Sequence, residues 1–259
     1  MTDRSVSVEI PSVEGVLSSA EVLASGRAIA AVQRRDGMIP WFEGGHCDPW
    51  NHVESAMALS VCGLHDEAEA AFAWLADRQL PDGSWFNYYQ GAGVKDARID
   101  TNVCAYVATG LFHRFLVTGD HDDLVRHWPM VEAAVDFVLR HQRPDGSVRW
   151  SVDPSGRREN YALLTGSSSI FHALRCAVAV AERLGKERPE WELAAGRLGH
   201  AVAHHGSSFA LKDEYAMDWY YPALSGSLPP EAAHHRPSRA GSASSSTAGA
   251  CVAWPARTG

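Results

Sequence analysis

Three stretches of the chain are variations on one pattern: QRRDGMIPW at 33–41, QLPDGSWF at 79–86 and QRPDGSVRW at 142–150. Each sets a Gln three residues before Asp-Gly and follows it with a large aromatic. Asp-Gly is a turn signal, because glycine enters the φ > 0 conformation that ends a helix without steric cost. Between the marks apolar residues recur at i, i+3, i+4 and i+7, and strand-like alternation is almost absent. A mark that returns after 46 and then 63 residues, each time closing a helical pattern, predicts α-hairpins with loops of variable length.

The period places helices over 13–33, 51–62, 68–79, 103–115, 124–139, 165–184 and 190–205, with a short one near 214–224. After Gly63, Gly119 and Gly185 the chain turns quickly, whereas each Asp-Gly mark opens a loop of roughly 15–20 residues rich in Trp, Tyr and Gly. Short turns at one end and long aromatic loops at the other predict an all-α toroid of hairpins with a decorated mouth. One domain is expected over 11–225, after a flexible N-terminus at 1–10.

A net charge of −8 and the lack of a Lys/Arg cluster exclude a phosphate-binding face, so no nucleic-acid partner is expected. The N-terminus has no apolar leader, and no run approaches the roughly 18 apolar residues of a membrane helix, so the expected location is cytoplasmic. Five cysteines, odd in number and without a CxxC pair, argue against a disulfide framework. Cys62, Cys104 and Cys176 fall on apolar helical faces; Cys47, in a loop, is the candidate thiol or ligand.

The segment LVTGDHDDLVRHWPMVEAAVDFVLRHQRPDG at 116–146 resembles a hairpin of the six-hairpin glycosidases, especially the glucoamylase-like group. That resemblance implies an (α/α)6 barrel with a carbohydrate-binding pocket at its mouth. The Asp-Gly marks also resemble the repeats of terpene cyclases and protein prenyltransferase β subunits, which implies isoprenoid chemistry as an alternative. The chain lacks the Asp-rich DxDD segment of the cyclases. Asp100 and Cys104 lack the His that the prenyltransferase zinc set requires, so neither metal nor cofactor is expected. A non-catalytic toroid that binds a glycan or a protein is a third reading.

Residues 44–60, GGHCDPWNHVESAMALS, crowd polar groups ahead of a bland helix. Asp48 followed by Pro49 reads as an N-cap and first helical residue. Capping does not account for His46, Trp50, Asn51, His52 and Glu54. Asp100-Thr101-Asn102 and the Thr-Gly-Ser-Ser-Ser run from Thr165 repeat the arrangement before two later helices. Polar helix starts at one end fit the floor of a pocket. Glycoside hydrolysis uses two carboxyl groups, and Glu54, Asp100 and Asp218 are the catalytic candidates. Trp41, His46, Asp48, Asn51, His52, Trp85, Tyr88, Asn102, Tyr161, Trp219 and Tyr220 are the expected substrate-binding residues, with Trp41, Trp85 and Trp219 at the rim.

Residues 226–259 lose the helical period and become rich in Ser, Ala, Pro and Gly, the composition of a disordered or frame-shifted tail. Seven to eight helices fall short of the twelve in six hairpins, so the expected toroid is incomplete. The resemblance puts the catalytic base of the glucoamylase-like proteins in the last hairpin. An open ring would expose the helix at 190–205, with Trp191, Leu193, Leu198 and Val202, and so invite self-association.

Overall fold

A computed structural model describes residues 9–212, 216–228 and 231–233. Its helices are α1 (Ser19–Val32), α2 (Pro49–Val61), α3 (His65–Arg78), α4 (Thr101–Ala105), α5 (Val107–Thr118), α6 (His121–Leu139), α7 (Leu164–Arg183), α8 (Pro189–His204) and α9 (Ala216–Leu224). The helices α2, α4–α5, α7 and α9 pack side by side as an inner row, and α1, α3, α6 and α8 back them from outside. The core runs between the rows, from Leu59, Phe72 and Leu111 through Leu124 and Val138 to Ile170, Leu174, Trp191 and Leu198. These alternating layers are the predicted α/α toroid.

The repeated Gln-x-x-Asp-Gly mark does more than end a helix. Gln33 Nε2 donates to the Gly37 carbonyl of its own turn (3.0 Å) and to Glu67 O on the next outer helix (2.9 Å). Gln79 repeats this with Gly83 O and Met130 O, and Gln142 with Gly146 O and Ala194 O. Each amide thus staples one outer helix to the next, α1 to α3, α3 to α6 and α6 to α8. The glycine is needed twice over. Gly83 has φ +91°, and a Cβ there would stand 2.1 Å from the Ala133 carbonyl oxygen. Gly37 and Gly146 lie against Ala70 O and Arg197 O in the same way.

Two helix boundaries depart from the periodicity. The first helix begins at Ser19, not near Val13, because Ser18 and Glu21 form a capping box; Val13 and Leu17 pair in a tight turn before it. The helix expected over 103–115 starts earlier and loosens at Tyr106, whose backbone stays right-handed between α4 and α5. Of the described helices α7 alone is long and apolar enough to cross a membrane, and its apolar face is buried in the core. The flank expected to be exposed on α8 is largely covered: Trp191, Leu198 and Val202 are buried, and only Leu193 faces outward, at 63% exposure. Nearly all of the expected disordered stretch at 226–259 lies outside the described residues.

The long loops are stitched together by short strands that helical periodicity did not reveal. β1 (His46–Cys47) pairs antiparallel with β2 (Tyr88–Gln90), and β2 with β3 (Gly93–Asp96). β4 (Ile99–Asp100) pairs with β5 (Ser151–Val152) in the register Asp100↔Ser151. Ala162 and Phe209 form a further parallel bridge. The β2–β3 pair is a hairpin within one loop, whereas β1–β2, β4–β5 and the Ala162–Phe209 bridge each join one loop to the next, and Asp48 and Asp100 stand directly beside these seams.

Candidate active site

Asp48 is the N-cap of α2. Its Oδ1 accepts from the Asn51 backbone N–H (2.9 Å), and its Oδ2 accepts from Asn51 Nδ2 (2.9 Å) and from the Trp41 indole (2.6 Å). Asp100 is the N-cap of α4 and is held in the same manner. Its Oδ1 accepts from the backbone N–H groups of Asn102 (2.8 Å) and Val103 (3.3 Å), and its Oδ2 from the Trp150 indole (2.6 Å). A carboxylate offers about four lone-pair sites, so three N–H donors leave each group about one position toward the mouth. Burial pushes the Asp100 carboxyl up and nearby Asp48 adds to that; the indole and backbone donors oppose them, leaving it at about 6.

The third inner-row terminus is closed from a different element. Asp218 on α9 is buried, and its Oδ1 accepts from the backbone N–H of Thr165 (3.1 Å) and from the Thr165 hydroxyl at the start of α7. The starts of α4 and α7 adjoin, since a Cβ on Gly166 would lie 3.6 Å from that of Asn102. Carboxyl groups therefore mark three neighbouring helix N-termini at one end of the molecule, where the helix dipoles favour negative charge.

Aromatic rings surround these termini. Trp41, 53% exposed, lies 4.7 Å from His46 and 6.4 Å from Tyr88, and Phe42 meets His46 edge-on at 6.1 Å. The Tyr88 hydroxyl is pushed up by burial and by Asp48, Asp96 and Asp100, which places it among these carboxylates. Trp150 stacks on Tyr161 at 5.5 Å, with the Arg98 guanidinium 5.5 Å from its ring. Tyr220 is exposed and Trp219 half-buried on α9. Beside Asp48 the Trp50 indole N–H is buried without a partner among the described residues, and so is Asn102 Oδ1 beside Asp100.

Glu54 sits deeper. Six residues after Asp48 along α2, it is about 9 Å further down the helix axis. There it accepts from the Tyr106 hydroxyl and lines a cleft of about 400 Å³ with Met57, Val61 and His113. It belongs to the inner row, one and a half turns below the ring of N-termini.

Two residues expected at the mouth are in the core instead. Trp85 is fully buried and its indole donates to Leu75 O (2.9 Å), because the second mark places its Trp six residues after the Gln rather than eight. His52 is 1% exposed, with Nδ1 accepting from Ile39 N–H (3.1 Å) and Nε2 on Ala71 O (2.9 Å). Burial drops its pKa to about 4, so it is a neutral strut between the first mark and α3. Cys47 and Cys104 are buried thiols pushed up by desolvation, and Cys104 Sγ accepts from the Trp85 backbone N–H (3.4 Å). The carboxylates Asp213 and Glu214 lie outside the described residues.

One charged cluster, not expected from the sequence, lies at the short-turn end of the bundle. Glu69, Asp123 and His127 converge there in a set with metal-ligand chemistry. Arg114 occupies its centre, however, bonding Asp123 Oδ2 (2.6 Å) and Glu69 Oε2 (2.7 Å). Burial pushes Asp123 up, but His127 and Arg114 outweigh it and hold the carboxyl at about 2. The cluster is an ion-pair lock joining α3, α5 and α6. Arg114 lies on an otherwise apolar helix, which was the signal available in the sequence.

The architecture is the α/α toroid of the six-hairpin glycosidases and related sugar-acting proteins. It aligns with a rhamnosidase from Klebsiella oxytoca at a TM-score of 0.57 and 12% identity, over 84% of this chain and 47% of that one. It also aligns with a D-mannose isomerase at a TM-score of 0.56 and 12% identity, over 80% and 61% of the two chains. In sequence the chain is 50% identical over 230 residues to the MMP endo-(1,4)-3-O-methyl-alpha-D-mannosidase of Mycolicibacterium hassiacum. That match takes in 89% of this chain and 64% of the mannosidase, so the chain spans less than two thirds of its relative's length. No family model matches.

Proposed function

We propose that the chain is a glycoside hydrolase that cleaves α-mannosidic bonds within oligosaccharides of 3-O-methylated mannose. The single observation that carries this is the 50% identity to a mannosidase of that specificity. The geometry of the mouth supports it. Glycoside hydrolysis requires a carboxylic acid to protonate the leaving oxygen and a second carboxyl group beside the sugar. Asp100, at about 6, retains its proton closer to neutrality than an ordinary Asp and suits the acid. Asp48, close enough to act on it, suits the partner. Glu54 and Asp218 complete the acidic lining, Asp218 by ordering the start of α7.

The substrate class fits the surroundings. A 3-O-methyl group replaces a hydroxyl donor with an apolar cap, which favours the exposed faces of Trp41 and Phe42 over a purely polar wall. Asn51, His46, Tyr88 and Tyr161 offer hydrogen bonds to the remaining hydroxyls. The test is incubation with an α-(1,4)-linked 3-O-methylmannose oligosaccharide and with its unmethylated counterpart, read by mass spectrometry. Shorter methylated fragments are expected, with the unmethylated chain cleaved at least about tenfold more slowly, the scale of one small apolar group. A folded protein that cleaves neither sugar overturns the proposal.

A further inference from the structure

The first and third Asp-Gly marks each carry a Trp eight residues after the Gln, Trp41 and Trp150. Neither is needed for the staple, which Gln and Gly complete alone. Both indoles donate over 2.6 Å to the Oδ2 of an N-cap aspartate whose Oδ1 serves the helix backbone. The two carboxylates stand on neighbouring inner helices, and the two tryptophans arrive from non-adjacent loops. Trp41 comes from the loop before its own inner helix, whereas Trp150 reaches across from the loop after α6. One chemical arrangement reached by two routes marks a requirement of the carboxylates rather than of the loops. Trp150 is itself fixed, by Tyr161 stacked on its ring, by Arg98 beside it, and by the β4–β5 seam on which Thr101 donates to Trp150 O (3.0 Å).

We propose that Trp41 and Trp150 are matched positioning residues, each fixing the carboxylate oxygen that backbone capping leaves over, and that Trp150 sets the acid strength of Asp100. The role in turnover rests on Asp100 being the acid of the proposed hydrolysis; the effect on its titration does not. The groups around Asp100 are Asp48 from α2, Tyr88 from β2, Tyr161 from the α6–α7 loop and Cys104 on α4. Arg98 contributes a cation beside Trp150. Asp48 favours the protonated acid, and the indole favours the carboxylate by donating to it. Removing only the N–H therefore tips Asp100 toward its protonated form.

The experiment compares the wild type with Trp150→Phe, which keeps a ring for Tyr161 and loses the donor. Carboxyl ¹³C NMR, assigned with Asp100→Asn, should show the Asp100 midpoint rising by about one pH unit. The alkaline limb of kcat/KM for mannoside cleavage should move upward equally, with KM changed less than about twofold. Trp41→Phe should lower kcat while leaving the Asp100 midpoint within about 0.3 unit. In the wild type the Trp150 indole ¹H–¹⁵N resonance should titrate with the Asp100 midpoint and cease to do so in Asp100→Asn, a readout that stands even if Trp150→Phe fails to fold. An Asp100 midpoint unmoved in folded Trp150→Phe, or a wild-type indole blind to Asp100, overturns the inference. Absence of mannoside cleavage with the NMR shifts intact sinks only the hydrolase reading.

Discussion

Two titratable side chains, His52 in the core and Asp100 at the mouth, pull the pH dependence of folding in opposite directions. His52 has a folded pKa near 4, below its unfolded value of 6.5, because burial opposes the imidazolium. Its contribution to stability is present above about 6.5 and is lost as pH falls through 4. Asp100 is the reverse: raised from 3.8 to about 6, it contributes most below 3.8, and that contribution is lost as pH rises through 6. Asp100→Asn should therefore remove the rise in stability on acidification and unmask the His52 loss, so that urea midpoints fall steadily from pH 6.5 to 4. Should the variant keep the wild-type pH profile, Asp100 does not titrate where its surroundings place it. At this scale much of the mouth was legible. Asp48 and Asp100 announced themselves as caps, but nothing in the sequence assigned an indole to each, since Trp150 lies 50 residues from Asp100 in the chain.

Among the elements, the repeated glutamine joins each outer helix to the next, alongside side-chain contacts such as Trp128 on Trp191. Each Gln amide spends both protons on carbonyls, one local and one on the neighbouring helix, and the facing glycine lets the backbones touch. Gln79→Leu should destabilise the protein by about 1–3 kcal/mol, the scale of two hydrogen bonds in a half-buried setting. Gly83→Ala should cost more, because its Cβ would meet the Ala133 carbonyl and its φ is positive. Urea titration of both variants checks the order; a Gly83→Ala protein as stable as the wild type would contradict the close approach. The Gln-x-x-Asp-Gly repeat was plain in the sequence as a helix stop. Its second use, as a bridge to a helix 34 to 52 residues further on, depended on which outer helices become neighbours.

Across the whole molecule, burial is shared unequally among the described helices. α7 buries eleven residues, from Ser167 to Ala181, whereas α1 buries only Gly26 and leans on α2 through half-covered side chains. Local opening free energies follow such differences. In hydrogen exchange read by mass spectrometry, amides of α5, α6 and α7 should be the slowest and those of α1 should exchange well before them. Equal protection of α1 and α7 would mean that α1 is held by contacts other than those described. The Arg114 lock at the short-turn end and the strand seams at the mouth pin the two ends of the rows, so the loops carrying Asp48 and Asp100 are braced rather than free.

By itself the sequence determined the layers: helical period, short turns after glycine and a thrice-repeated mark leave little besides a toroid of hairpins. It also determined where polar groups would gather, because a carboxylate at the start of an Ala-rich helix has nowhere cheaper to go than the mouth. What it could not determine was which way each aromatic turned. Trp85 and Trp150 close nearly identical marks, yet a two-residue difference in spacing sends one into the core against Leu75 and the other onto Asp100. His52 reads like a mouth residue and becomes a buried strut, for it faces Ile39 and Ala71 only after the first hairpin has closed. Contacts of that kind join segments that have no local preference for one another, and they exist only when the rows of helices have packed.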